Sequence, residues 1–79
     1  MKNNYSALAI SHWHWVSGLL RTLGRKPEQY EYFYLEGFDA GYNNEASPAI
    51  CAPDDAADYL LMTAYQHGLK HFAELSDGK

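Results

Sequence analysis

The sequence predicts an all-α fold: a compact three-helix domain with helices over about 5–23, 27–42 and 53–75. Three observations point there. Apolar residues return at spacings of three and four through each of those segments, the period of a helix with one buried face. Gly24 and Pro27 separate the first two segments, and Asn43-Asn44, Pro48 and Pro53 separate the last two, residues that stop and start helices. The one alternating stretch, Ser-His-Trp-His-Trp-Val at 11–16, explains six residues as a strand, whereas the helical period explains nineteen around it. At 79 residues the chain holds a single domain, 1–79, and a core this small has a thin margin of stability.

In the first helix Leu8, Ala9, Trp13, Val16, Leu19, Leu20 and Leu23 share one side, with Trp15 at its rim and Ile10 toward the far side. Ser11, His14, Ser17, Gly18, Arg21 and Thr22 share the other. Asn4 or Ser6 is the candidate cap, and Gly24 with Arg21 and Arg25 marks the end. In the second helix Pro27 is suited to the first position, with Glu28 and Glu31 at the positive end of the dipole. Tyr30, Phe33, Tyr34, Gly37, Phe38 and Gly41 form its apolar face, and Glu28, Glu36 and Asp39 are expected on the outer one. The stretch from Asn43 to Ala52 is longer than the usual helix connection, which implies that it packs against or binds something. Pro53 opens the third helix, with Asp54 and Asp55 in its first turn and Ala57, Leu61, Ala64, Gly68, Phe72 and Leu75 as its stripe; the tail from Ser76 is expected to fray. Gly37, Gly41, Ala64 and Gly68 form small-residue notches through which the second and third helices are expected to pack closely, since a missing side chain lets two backbones approach.

Charge is unevenly placed. The formal net charge is −4, and no Lys or Arg lies between Pro27 and Leu69, a stretch holding Glu28, Glu31, Glu36, Asp39, Glu45, Asp54, Asp55 and Asp58. Such a surface repels phosphate, so direct nucleic-acid binding is not expected. It attracts a basic partner. Glu31, Tyr32, Glu36, Asp39, Asp54, Asp55, Asp58 and Tyr59 are the candidate contact residues, the two tyrosines because a ring provides large contact area with few rotors.

Catalysis and cofactors find little footing. No nucleophile elbow, phosphate-cradling loop or His-Glu-x-x-His zinc motif is present, and a short helical domain offers little volume for a substrate. His67 and His71, one turn apart, have a spacing that suits Zn²⁺, while His12 and His14 diverge around the first helix; no metal and no cofactor is expected. The lone Cys51 reads as a small apolar residue, and one cysteine forms no internal disulfide. The chain shows no run of 18 apolar residues and no signal-peptide pattern, so a cytoplasmic, non-membrane protein is expected.

Gly37-x-x-Ala40-Gly41, a loop with Cys51-Ala52-Pro53, and Tyr65-x-x-Gly68 together resemble the two-helix pattern of the ribosome modulation factor family. The resemblance spans roughly Tyr30 to Phe72 and implies a helix-hairpin scaffold, with a ribosome- or RNA-associated modulator as the alternative function. That family is strongly basic because it binds ribosomal RNA; here the matching stretch is acidic.

The function expected is that of a small non-enzymatic acidic module that binds a protein with a basic surface. It would serve as an adaptor, or as an inhibitor of a nucleic-acid-binding protein, of the kind familiar among phage and mobile-element accessory proteins. A homodimer is a further expectation, because joining cores is a direct remedy for small size.

Overall fold

The computed structural model describes residues 5–48 and 54–77 and has three helices: α1 (Ala7–Thr22), α2 (Glu31–Tyr42) and α3 (Asp55–Asp77). The described residues contain no strand. Ser6 caps α1, its Oγ accepting from the Ala9 N–H at 3.1 Å. Gly24, at φ 78°, closes α1: Arg25 N–H reaches the Leu20 carbonyl at 2.9 Å and Gly24 N–H reaches Arg21 at 3.0 Å. Asn44, at φ 58°, closes α2 in the same way through Glu45 N–H to Ala40 and Asn44 N–H to Gly41. Both are the left-handed ends that glycine and asparagine tolerate best.

Three boundaries differ from expectation. Pro27–Gln29 is a separate 3₁₀ turn, closed by Tyr30 N–H on the Pro27 carbonyl at 2.8 Å, so α2 begins only at Glu31. The break at Tyr30, with φ −115°, accompanies burial of its ring, and Arg25 Nη1 donates to its hydroxyl at 3.1 Å. Asp54 lies outside the first turn of α3 and caps it, its Oδ1 accepting from Ala57 N–H at 2.8 Å. At the other end α3 extends through Asp77, two residues past the expected end. Pro53 and Cys51 fall outside the described residues.

α2 is the central helix. α1 crosses one of its sides with Trp13 against Tyr34, ring centroids 5.7 Å apart, and α3 covers another. Tyr34, Leu35, Gly37, Phe38, Asp39, Ala40 and Gly41 are therefore all buried, far more of the circumference than one apolar face. Being covered from two sides explains why Asp39, expected on an outer face, is 3% exposed.

The glycines set the α2–α3 approach. A methyl at Gly37 would strike the Leu61 carbonyl, one at Gly41 the Tyr65 carbonyl, and one at Gly68 the Phe38 carbonyl. Ala64 is fully buried among them. The contacts advance together along both helices, Gly37 meeting Leu61 and Gly41 meeting Gly68, so α2 and α3 run in the same direction. This is a parallel pair, not the hairpin that the family resemblance implies. It also explains the long connection, because the chain after α2 must travel back along α3 before α3 can start. The return path packs on that helix: Tyr65 Oη donates to the Glu45 carbonyl at 2.7 Å, and Ser47 Oγ lies 3.9 Å from Met62 Sδ.

On α1 the core takes Ala9, Trp13, Val16 and Leu20, while Leu19 and Leu23 are 46% and 73% exposed and Trp15 66%. The apolar arc of α1 is thus wider than its neighbours cover. Ser17, placed by periodicity on the polar side, is buried at the α1 wall of a cleft, its hydroxyl donating to the His14 carbonyl at 2.8 Å.

The Tyr34 hydroxyl is buried with no hydrogen-bond partner among the described residues, and burial raises its pKa. A buried, unpaired hydroxyl costs free energy, so Tyr34→Phe is expected to stabilise the fold by about 1 kcal/mol or more, read as a raised urea midpoint at unchanged slope. A loss of stability would mean that the hydroxyl has a partner.

Candidate partner-binding surface

Seven of the eight acids that sequence groups into one belt separate into three sets, with Glu45 exposed on the connection after α2. The first is internal. Tyr5 Oη donates to Glu36 Oε2 at 2.6 Å, and Ser6 donates to Asp39 Oδ1 through its hydroxyl at 3.0 Å and its backbone N–H at 3.3 Å. Glu36 is half-buried and Asp39 buried. Together they hold the start of α1, where a carboxylate also faces the positive end of the helix dipole. Burial and the neighbouring Glu36 carboxylate push the Tyr5 phenol far above its ordinary value, so it stays a protonated donor. Glu36 and Asp39 are accordingly fastenings of the fold, a correction to their expected place on an exposed contact face.

The second set is on α3. Asp54 is exposed but engaged as a cap, and Asp55, Asp58 and Tyr59 stand exposed on the first turns, Tyr59 at 69%. None of them lines either of the two clefts that carry Glu28 and Glu31.

The third set builds a concave surface. Antiparallel packing of α1 on α2 leaves a cleft of about 520 Å³ between α1 and the 3₁₀ turn, with Ile10, Trp13, His14 and Arg21 on one wall and Pro27, Glu28, Glu31 and Leu35 on the other. A second hollow of about 280 Å³ is lined by Tyr5, Glu28, Glu31, Tyr32 and Leu35. The two share four residues, Tyr5, Glu28, Glu31 and Leu35, and form one continuous surface. Trp13, Pro27 and Leu35 are its buried apolar lining, and it carries two exposed carboxylates that no Lys or Arg of the described residues pairs with. Of the expected contact residues, Glu31 and Tyr32 belong here. Glu28, Ile10 and Leu35 were not among them; the signal that could have found them was an apolar residue on the polar side of each helix.

Gly37, Gly41, Ala64 and Gly68 meet at the α2–α3 crossing, where sequence placed them. The histidines divide: His14 lines the cleft, whereas His12 faces α3 beside His67 and His71. Among the described residues no three His, Cys, Asp or Glu side chains are arranged to hold a metal ion, and no helix is long and apolar enough to cross a membrane. Compared with protein-family models, with curated proteins and with solved structures, the chain matches none.

Proposed function

We propose that this chain is a protein-binding module that seats a basic segment of another protein in the cleft between α1 and the start of α2, as an adaptor or as an inhibitor occupying that partner's basic surface. The observation that carries this reading is the pair of exposed carboxylates, Glu28 and Glu31, in a cleft that also presents the apolar side chains of Ile10, Trp13 and Leu35. Apolar contact gives such a site affinity, and charge on its rim gives it encounter rate and choice of partner. Tyr32, 37% exposed beside both carboxylates, adds a rigid ring with room to stack on an arginine. Arg21, on the opposite wall, is placed to meet a carbonyl or carboxylate of the same segment.

The test is capture of partners from a bacterial lysate by the tagged chain, with and without nuclease, followed by kinetics with the captured protein. Glu28→Gln with Glu31→Gln keeps shape and removes charge. The expected result is a protein partner that survives nuclease, with association slowed by about tenfold at low salt in the double variant and a weaker salt dependence. Nuclease-sensitive association or co-sedimentation with ribosomes would replace this reading with that of an RNA-associated modulator. Unchanged kinetics in the double variant would move the contact away from the cleft.

A further inference from the structure

Three imidazoles meet on the side of α1 opposite the cleft. The His12 ring, from α1, lies 5.1 Å from that of His71 and 6.0 Å from that of His67, both edge to face and both from α3. Beneath them α2 contributes the Phe38 ring, 4.9 Å from His12 and 5.9 Å from His71. A hollow of about 190 Å³ is bounded by the three histidines with Lys70 and Glu74. Glu74 Oε1 lies 3.5 Å from His71 Nδ1. Among the described residues the charged groups facing the cluster are therefore one cation and one carboxylate, both from α3, while α2 presents an apolar ring and α1 adds Ser11 and Trp15 at the edge.

Neutral imidazoles pack in this arrangement as aromatic rings. Protonated ones are like charges at 5–6 Å, with a single carboxylate to offset them and Lys70 adding to the repulsion. Other contacts between α1 and α3 are sparse compared with the glycine-lined α2–α3 interface.

We propose that the seam between α1 and α3 is acid-sensitive: protonation of His12, packed against the rings of His67, His71 and Phe38, loosens α1 while the α2–α3 pair stays closed. The sign follows from the folded state. Burial first, and the neighbouring His71 and His67 second, lower the pKa of His12 from 6.5. Between that lowered value and 6.5 the unfolded or undocked chain thus holds more protons than the closed one. Stability conferred by the seam is present above about pH 6.5 and is lost as pH falls toward the folded value.

Hydrogen exchange of the whole chain between about pH 7.5 and 5.5, expressed as protection factors, tests this. The expected result is a selective loss of protection in α1, up to about tenfold, with α2 and the α3 segment facing it held nearly constant. His67→Gln with His71→Gln, at an exposed and a half-exposed position, leaves α1 docked at neutral pH and flattens the profile. His12→Gln should flatten it further, though it also alters packing on Phe38, which is why the α3 pair is the deciding variant. Constant protection in α1, loss spread equally over all three helices, or an unaltered profile in the α3 double variant would each overturn the proposal.

Discussion

Gly41→Ala and Gly68→Ala are each expected to destabilise the fold by about 1–3 kcal/mol, although alanine is the better helix former by about 0.5–1 kcal/mol. The reason is what the added methyl meets. At Gly41 it collides with the Tyr65 carbonyl and lies 2.8 Å from Leu69 N; at Gly68 it collides with the Phe38 carbonyl and lies 2.7 Å from Tyr42 N. These are backbone atoms of a facing helix, so relief requires separating the helices along the largest interface in the fold. Gly18→Ala is the matched control: it is exposed on α1 with nothing within 4 Å of the added methyl, and it should gain about 0.5–1 kcal/mol. For a domain of this size each kcal/mol moves the melting midpoint by roughly 4–8 °C, so the two signs separate easily. Stabilisation by all three substitutions would mean that α2 and α3 do not approach this closely.

Asp39→Ala is the second large effect, expected to cost about 1.5–3 kcal/mol. Its carboxylate is buried, accepts from both the hydroxyl and the backbone N–H of Ser6, and faces the start of α1. Removing it leaves half-buried donors without that acceptor and frees the end of a helix whose other anchors include the Tyr5–Glu36 bond and the Trp13–Tyr34 contact. Loss should therefore concentrate in α1, visible as faster exchange of its first-turn amides before the global transition. An Asp39→Ala variant as stable as the parent would place its side chain in solvent.

What the sequence made legible was local. The helices, the Ser6 cap, the Gly24 and Asn44 ends and the small-residue crossing at Gly37, Gly41, Ala64 and Gly68 all follow from rules acting within a few residues. What it hid depends on neighbours far along the chain. Amphipathic reading assumes one buried face, whereas α2 is covered from two sides, so Glu36 and Asp39 were sorted with solvent when their partners stand 31 and 33 residues away. Periodicity also carries no direction. The parallel course of α2 and α3 was signalled only by the length of the connection, which implied that it packs against or binds something; it packs on α3. At Tyr30 the expected helix broke because burying a large ring took precedence over continuing from Pro27. The cleft was half legible: Glu31 and Tyr32 were candidates for their type, but the pairing of Ile10 on one wall with Leu35 on the other exists only once α1 lies across α2.

The division of the acids into fastenings and free charges is the central claim, and paired urea melts of two double variants test it most directly. Glu36→Ala with Asp39→Ala removes the two carboxylates that hold α1, and a loss of at least about 2 kcal/mol is expected. Glu28→Ala with Glu31→Ala removes the two on the cleft rim; exposed charges contribute little, so the change should stay within about 1 kcal/mol of the parent. Equal stability of the two variants, or a larger loss from the rim pair, would contradict the assignment of Glu28 and Glu31 as the charges left free for a partner.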